Sequence, residues 1–155
     1  MSFIFQKVGR DAASIFKILK NGSSSAISPG DAVVYDYTTA KDGLAVILPT
    51  TALLAMFAGV VAEGVTLAAS GSAGQYGKVQ IYGHHAACKW VGSSTPIGTP
   101  LVPANATGGM VVGVTHVTSN STANEGIQFA YAGELSTIIN SLYSATGKIA
   151  FIRAL

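Results

Sequence analysis

Residues 43–62 read GLAVILPTTALLAMFAGVVA and carry no charged side chain. An α-helix needs roughly 20 apolar residues to cross a bilayer, so a membrane span is one interpretation of this run. Pro49 interrupts it, and a proline in a helix interior removes a backbone hydrogen bond and collides with the preceding turn. We therefore predict two apolar strands, Leu44–Leu48 and Leu53–Ala62, joined by a Pro-Thr-Thr turn. We therefore expect no membrane partner. The membrane helix stays open as an alternative because transmembrane helices tolerate proline.

Strand patterns continue on both sides of this run. The segment AVVYDYT at 32–38 is rich in β-branched and aromatic residues, and KVQIY at 78–82 alternates polar with apolar residues. We expect Gly83 to end the second of these strands and Ala86–Val91 to return as its hairpin partner. Further strands are predicted at Gly64–Ala69, Leu101-Val102, Met110–Val117, Ile127–Tyr131 and Lys148–Leu155. Short strands between Gly, Pro and Ser turns predict a mainly β fold, a small β-barrel or β-sandwich.

Two segments show helical spacing instead. Near the N-terminus, apolar residues recur with a helical period, and the basic residues fall on the opposite face. The apolar set is Val8, Ala12, Ile15, Phe16 and Leu19. Residues 135–143 repeat this spacing, and Gly147 follows as a stop signal. The sequence therefore predicts an N-terminal amphipathic arm or helix and one short helix near the C-terminus.

The positive charge is concentrated at the N-terminus. Residues 1–20 contain four of the nine basic residues and one of the seven acidic residues, so the remainder is nearly neutral. The turn-rich segment NGSSSAISPGD follows at 21–31. We predict a basic arm and linker at residues 1–30 and a single β-rich domain at residues 31–155. Because that domain has no basic patch, we expect no nucleic-acid partner.

The N-terminal segment is the candidate partner-binding site. An amphipathic segment can dock on a partner, pack on its own domain, or lie at a membrane interface. Hydrophobic residues make up 49% of the chain and charged residues 10%, and weakly charged surfaces are often covered by neighbouring subunits. We therefore favour docking on a protein partner. The candidate contact residues are Lys7, Arg10, Ile15, Phe16, Lys17 and Lys20.

The residues that catalysis or metal binding would need are scarce. The acidic residues lie mostly in or beside predicted turns, and no two of them form a motif. His84 and His85 precede Cys88, but neighbouring residues on a strand point to opposite faces. A structural zinc ion takes four ligands, and only His116 is a further good donor. We expect a protein that is not an enzyme and holds no metal or cofactor, with Cys88 as a buried thiol.

Several phrases resemble a known family. They are GDAVVYDYT at 30–38, FAGVVAEGV at 57–65, GQYGKVQIYG at 74–83, IGTPLVPA at 97–104 and KIAFIRAL at 148–155. Their order and style are similar to the capsid decoration, or cement, proteins of tailed bacteriophages. The resemblance implies a compact β domain on the capsid exterior of a virion. It implies a non-catalytic protein that binds the major capsid protein, often as a homotrimer, and stabilises the lattice by bridging capsid subunits.

The resemblance also nominates the contacts and leaves alternatives. Many decoration proteins contact the capsid through an N-terminal arm, which here corresponds to residues 1–30, and turn-rich loops such as 92–109 are further candidates. Another virion structural protein is the first alternative, such as a tail-tube, head-completion or fibre-associated β protein. A ligand-binding or enzymatic β-barrel is the second.

Overall fold

The computed structural model describes residues 4–7, 14–38, 40–50, 53, 56–91, 97–104, 110–112, 130–132 and 148–154. Within these ranges the chain forms eleven β-strands and no α-helix. The strands are β1 (Ile4–Lys7), β2 (Ser14–Asn21), β3 (Ala32–Tyr35), β4 (Ala45–Ile47), β5 (Phe57–Val61), β6 (Tyr76–Cys88), β7 (Trp90–Val91), β8 (Pro100–Pro103), β9 (Met110–Val112), β10 (Ala130–Ala132) and β11 (Lys148–Arg153). The predicted mainly β class is confirmed.

Five of the strands close into a barrel in the order β2-β4-β3-β5-β6, because β6 also pairs with β2. The β2–β4 pair is parallel and the other barrel pairs are antiparallel. The 13-residue strand β6 is longer than the barrel needs, and its second half pairs with β11. From there the sheet continues through β10, β8, β9 and β7. The fold is a small closed barrel with a sheet extension.

Two buried clusters lie on opposite faces of the barrel wall. Alternating side chains of a strand face opposite sides, so each barrel strand contributes to the interior and to the outside. The interior cluster is Leu19, Ile27, Val33, Val46, Ala58, Val61, Leu67 and Val79. The second cluster joins the outer faces of β3 and β5 to the extension and includes Ala32, Phe57, Val60, Trp90, Leu101 and Ile152. The extension is therefore packed against the barrel.

A bulge at Gly59 supplies both clusters from one short strand. Regular pleating would place Phe57 and Val61 on the same face, yet Phe57 belongs to the outer cluster and Val61 to the interior. The register between β3 and β5 shifts here, since Val33 pairs with Gly59 and Val34 with Phe57. An extra residue on one strand re-aims the side chains that follow it. The extra residue is Ala58, which has no partner on β3, so the bulge at Ala58 and Gly59 is the point where β5 changes its pattern.

The helix predicted near the N-terminus is wrong over residues 14–20, which lie in β2. Strand β2 pairs with β6 along six residues, from Ile15 to Lys20, and with β4 at its end. Tertiary pairing of this kind overrides a local helical preference. Residues 8–13 and the helix predicted at 135–143 lie outside the described residues. The part of the predicted arm from Ser14 onward is therefore barrel wall.

The two apolar strands predicted on either side of Pro49 are confirmed with narrower limits, as β4 and β5. No helix among the described residues is long and apolar enough to cross a bilayer. The predicted end of a strand at Gly83 is wrong, because β6 continues to Cys88. Gly83 instead marks the place where β6 leaves the barrel. Tyr82 pairs with Ile15 of the barrel as well as with β11, whereas Gly83 pairs with Ile152 of β11.

Candidate functional site

The contact residues predicted from the sequence fall mostly on β2. Lys7 is the last residue of β1, which pairs with the first half of β2, and Arg10 lies outside the described residues. Ile15, Phe16, Lys17 and Lys20 lie on β2 itself. Alternation places Ile15 and Lys17 on one face of the strand and Phe16 and Lys20 on the other. The predicted set is therefore divided between the two sides of the barrel wall.

Lys17 faces the barrel interior. Its Nζ donates a hydrogen bond to the hydroxyl of Tyr35 at 3.1 Å and lies 5.0 Å from the centroid of that ring. Tyr35 packs against the interior cluster and contacts the ring of Tyr37, with 5.6 Å between centroids. A cation over an aromatic face is stabilised by the ring quadrupole. The ammonium group of Lys17 therefore binds Tyr35 on the inner side of the barrel wall and does not lie on the outer side.

On the outer side of the barrel wall, the side chains of β2 are neighbours of side chains from the first half of β6. Phe16 is opposite Gln80, Ile18 is opposite Lys78, and Lys20 is opposite Tyr76. Gln80 is buried and donates to the carbonyl oxygens of Tyr82 and His84, whereas Tyr76 is 58% exposed.

We call Phe16, Ile18, Lys20, Tyr76 and Lys78 the β2–β6 face. Two of these five residues, Phe16 and Lys20, belong to the contact set predicted from the sequence. Ile18 lies between these two residues on β2 and shares their face by alternation. Tyr76 and Lys78 join the face through strand pairing across nearly 60 residues of sequence, for which the sequence carries no local signal.

The histidine pair is divided as the sequence predicted. His84 is exposed and His85 is 1% exposed, so the two side chains lie on opposite faces. Nε2 of His85 lies 3.0 Å from the carbonyl oxygen of Val61, and Nδ1 accepts a hydrogen bond from the amide of Ala87 at 3.2 Å. This arrangement requires the neutral ring with its proton on Nε2. Both ring nitrogens are therefore occupied.

Cys88 is buried, and this burial raises the pKa of its thiol, with the charge of Asp31 adding to the effect. The thiol is therefore protonated and a poor nucleophile or metal ligand. In the part of the chain that the structure describes, no three His, Cys, Asp or Glu side chains gather as a metal site would need. His116, the further donor considered from the sequence, lies outside that part.

Polar contacts fix the end of β6 to the barrel. Lys89 forms an ion pair with Asp31, whose other carboxylate oxygen accepts from the amide of Ser28 at 2.9 Å. Glu63 accepts from the amide of Ala86 at 2.9 Å, and the amide of Lys89 donates to the carbonyl oxygen of Gly30 at 2.9 Å. The chain segments before β3 and after β5 are thus held against β6. These acidic residues have a structural role that their position in turns did not reveal.

The pH dependence of stability should follow His85. Burial lowers the pKa of His85 from its ordinary value of 6.5, an effect that the Val61 carbonyl and Glu63 partly offset. A histidine with a lowered folded-state pKa stabilises the protein fully above the unfolded pKa, and this contribution is lost as pH falls below it. We expect the free energy of unfolding, measured in urea, to fall between about pH 7 and pH 5.

Variants identify the residue responsible for this loss. His85→Gln should be less stable at neutral pH but should lose most of the slope, because glutamine does not titrate. His84→Gln, on the exposed neighbour, should retain the slope of the parent protein. Parallel pH profiles for the parent and His85→Gln would contradict the assignment.

No protein-family model, no curated protein and no solved structure matches this chain. The candidate site is therefore chosen from the geometry of the chain itself. Among the described residues this geometry offers no cluster of three metal-ligating side chains, and it offers one mixed apolar and basic surface on the barrel wall.

Proposed function

We propose that this chain is a structural virion protein, a decoration protein that binds the outer surface of a tailed-phage capsid. It stabilises the shell by bridging neighbouring subunits of the major capsid protein, and it acts as a homotrimer. The observation that carries the proposal is the β2–β6 face, where apolar and basic side chains are presented on a closed barrel wall. The resemblance of the sequence to cement proteins supports the same function.

The weak charge of the chain supports attachment to a large partner. Charged residues make up 10% of the sequence, and the described residues contain a single ion pair, Lys89 with Asp31. Surface ion pairs contribute little to affinity, whereas buried apolar interface cores contribute most of it. On a lattice, many modest contacts also add through effective concentration. A surface with few charges suits this mode of binding.

The loop around Ile97 offers a second contact on the same protein. Ile97 is 69% exposed, and the next residue, Gly98, has a φ of +82°. The amide of Gly98 donates a hydrogen bond to the carbonyl oxygen of Ala132 at 2.8 Å. The amide of Ala132 donates to the carbonyl oxygen of Thr99 at 2.9 Å. These reciprocal bonds fix the loop to β10, so little conformational entropy is lost when Ile97 docks.

Replacing Ile97 by aspartate should weaken capsid binding without unfolding the protein. Expanded capsids that lack the protein would be titrated with the parent and with Ile97→Asp. An apolar anchor at an interface is worth about 2 kcal/mol or more, so we expect a loss of at least ~10-fold in affinity. The matched control is Met56→Asp, at a residue that is 45% exposed. Equal binding by parent and Ile97→Asp would exclude this loop from the contact.

The same titration tests the function itself. Saturation at hundreds of copies per particle is expected of a protein that covers a capsid lattice. Saturation at a few copies, or along the tail alone, would instead identify a head-completion or tail component. No saturable binding by the parent protein to capsids or tails would overturn the proposal.

A further inference from the structure

The β2–β6 face combines two lysines with three apolar or aromatic side chains. Ile18 is opposite Lys78, and Lys20 is opposite Tyr76, so the two lysines occupy diagonal positions on the antiparallel pair. Diagonal neighbours of this kind lie about 7–8 Å apart. Phe16 and Ile18 are half-buried, while Tyr76 and Lys78 are exposed. The arrangement is a small apolar strip with a positive charge on each side.

The carboxylates that the structure describes are occupied elsewhere. Asp31 is paired with Lys89, Glu63 binds the amide of Ala86, and Asp42 accepts from the amide of Leu44. Asp36 lies beside Gly22, beyond the end of the strip, but it is 3% exposed and accepts from Thr38. None of these carboxylates forms an ion pair with Lys20 or Lys78. Counting the described residues, the face therefore carries a net positive charge that a partner can neutralise.

We propose that the β2–β6 face docks on an acidic protein surface, with partner carboxylates on either side of an apolar contact. This inference rests on the proposed function and names the chemistry of the capsid surface that the protein recognises. The lysines pair with the carboxylates, while Ile18 and Tyr76 supply the buried centre. Tyrosine is enriched among residues that dominate interface energies, and desolvated charge pairs set the register of docking.

A protein surface fits this face better than a nucleic acid does. Binding to a phosphate backbone depends on many simultaneous cation contacts, typically about 6–10 for a tight complex. Two lysines separated by apolar side chains supply few of these contacts. Half-buried Phe16 and Ile18 would face a charged, hydrated backbone without any compensating contact. A protein surface can present apolar and acidic side chains together, so it can contact both the apolar side chains and the lysines of the β2–β6 face.

Charge reversal tests the inference. Lys20→Glu, Lys78→Glu and the double variant would be titrated against expanded capsids lacking the protein, at low and at high salt. We expect the double variant to bind at least ~10-fold more weakly at low salt, with a smaller difference at high salt, because salt screens exposed charges. Lys41→Glu reverses an exposed lysine in the turn before β4 and should change affinity by less than about 2-fold. Unfolding in urea should be similar for all four variants.

The possible outcomes separate this inference from the proposed function. If the double variant binds like the parent while Ile97→Asp loses affinity, the protein is a capsid binder that uses another face. If the parent does not bind capsids, the proposed function fails and this inference fails with it. Duplex DNA of random sequence is the second probe. Tight binding to DNA that the double variant abolishes would assign the face to nucleic acid and overturn the choice of a protein partner.

Discussion

Replacing Gly59 by alanine is expected to remove most of the stability of the barrel. The residue has a φ of +138°, a backbone conformation that residues other than glycine rarely adopt. An added Cβ would lie 2.3 Å from the carbonyl oxygen of Gln80 and 2.8 Å from Cγ1 of Val79. The first of these atoms belongs to the backbone of β6, so a rotamer change cannot relieve the contact. We expect a loss of at least about 4 kcal/mol in the free energy of unfolding.

Gly64 provides the control for this effect. It also has a positive φ, +68°, but an added Cβ would meet nothing within 4 Å. Gly64→Ala should therefore show only the conformational penalty, about 1–2 kcal/mol. Both variants would be unfolded in urea, and soluble yield and circular dichroism would be compared if Gly59→Ala does not fold. Equal destabilisation of the two variants would show that the close approach of β5 to β6 is unimportant.

The large destabilisation expected for Gly59→Ala has a physical basis, because β5 contributes side chains to both buried clusters. Phe57 and Val60 pack outside the barrel while Ala58 and Val61 pack inside it, and the bulge at Gly59 makes this pattern possible. A displacement of β5 from β6 would therefore disturb both clusters at once. The sequence shows a continuous apolar segment here, which predicts a strand buried on both faces but gives no position for a bulge.

The mainly β class could be predicted because strands with one buried face alternate in polarity. KVQIY at 78–82 shows that alternation, and the structure places Val79 and Ile81 in buried positions, with Lys78 exposed. Gln80 departs from the alternation, because it is buried and donates to the carbonyl oxygens of Tyr82 and His84. Strand pairing could not be predicted in the same way. The continuation of β6 beyond Gly83 depends on β11, which is more than 60 residues away in the sequence.

The incorrect prediction of a helix at residues 14–20, which form part of β2, has a specific cause. Residues four apart share a face in a helix, and they also share a face in a strand because four is an even number. Ile15 and Leu19 therefore fit both periods. Phe16 would have distinguished them, since a helix places it beside Ile15 and a strand places it opposite. The short segment contains too few such residues for the pattern to decide, and pairing with β6 determines the outcome.

The candidate surface was found only in part for the same reason. Phe16 and Lys20 belong to the segment that the charge asymmetry singled out, and they lie on the β2–β6 face. Tyr76 and Lys78 belong to a strand whose charge and composition are ordinary. Only the register of β2 against β6 brings the two lysines to diagonal positions. Local sequence properties indicate which segment binds, but strand register determines which side chains bind together.

Asn21 holds one end of the barrel closed. Its side chain is fully buried, and Nδ2 donates to the carbonyl oxygens of Ser25, Leu67 and Ala68 at 2.8, 3.3 and 3.0 Å. Its Oδ1 accepts from the amide of Ser23 at 2.8 Å. One side chain thus joins the end of β2 to two chain segments that cross the barrel end. The pairing of Ile27 with Leu67, both fully buried, lies beside this contact.

Replacing Asn21 by alanine should cost about 3–5 kcal/mol, because the carbonyl oxygen of Ala68 and the amide of Ser23 lose their partner at a buried site. The carbonyl oxygens of Leu67 and Ser25 keep their bonds from the amide of Ile27 and the hydroxyl of Ser23. Asn21→Asp has nearly the same shape and keeps the bond from Ser23, but its carboxylate would face the three carbonyl oxygens that now accept from Nδ2. We therefore expect Asn21→Asp to be at least as unstable as Asn21→Ala at neutral pH.

The pH response of Asn21→Asp distinguishes a loss of donors from a loss of packing. A carboxyl group buried among carbonyl oxygens is favoured in its protonated form, so the stability of this variant relative to Asn21→Ala should rise as pH falls and the carboxyl gains a proton to donate. Ser24→Ala, at an exposed neighbour, should change the free energy of unfolding by less than about 0.5 kcal/mol. Urea unfolding of the three variants at several pH values makes the comparison. If Asn21→Asp is as stable as the parent at neutral pH, the three carbonyl contacts contribute nothing, and the barrel end is held by the packing of Ile27 and Leu67 instead.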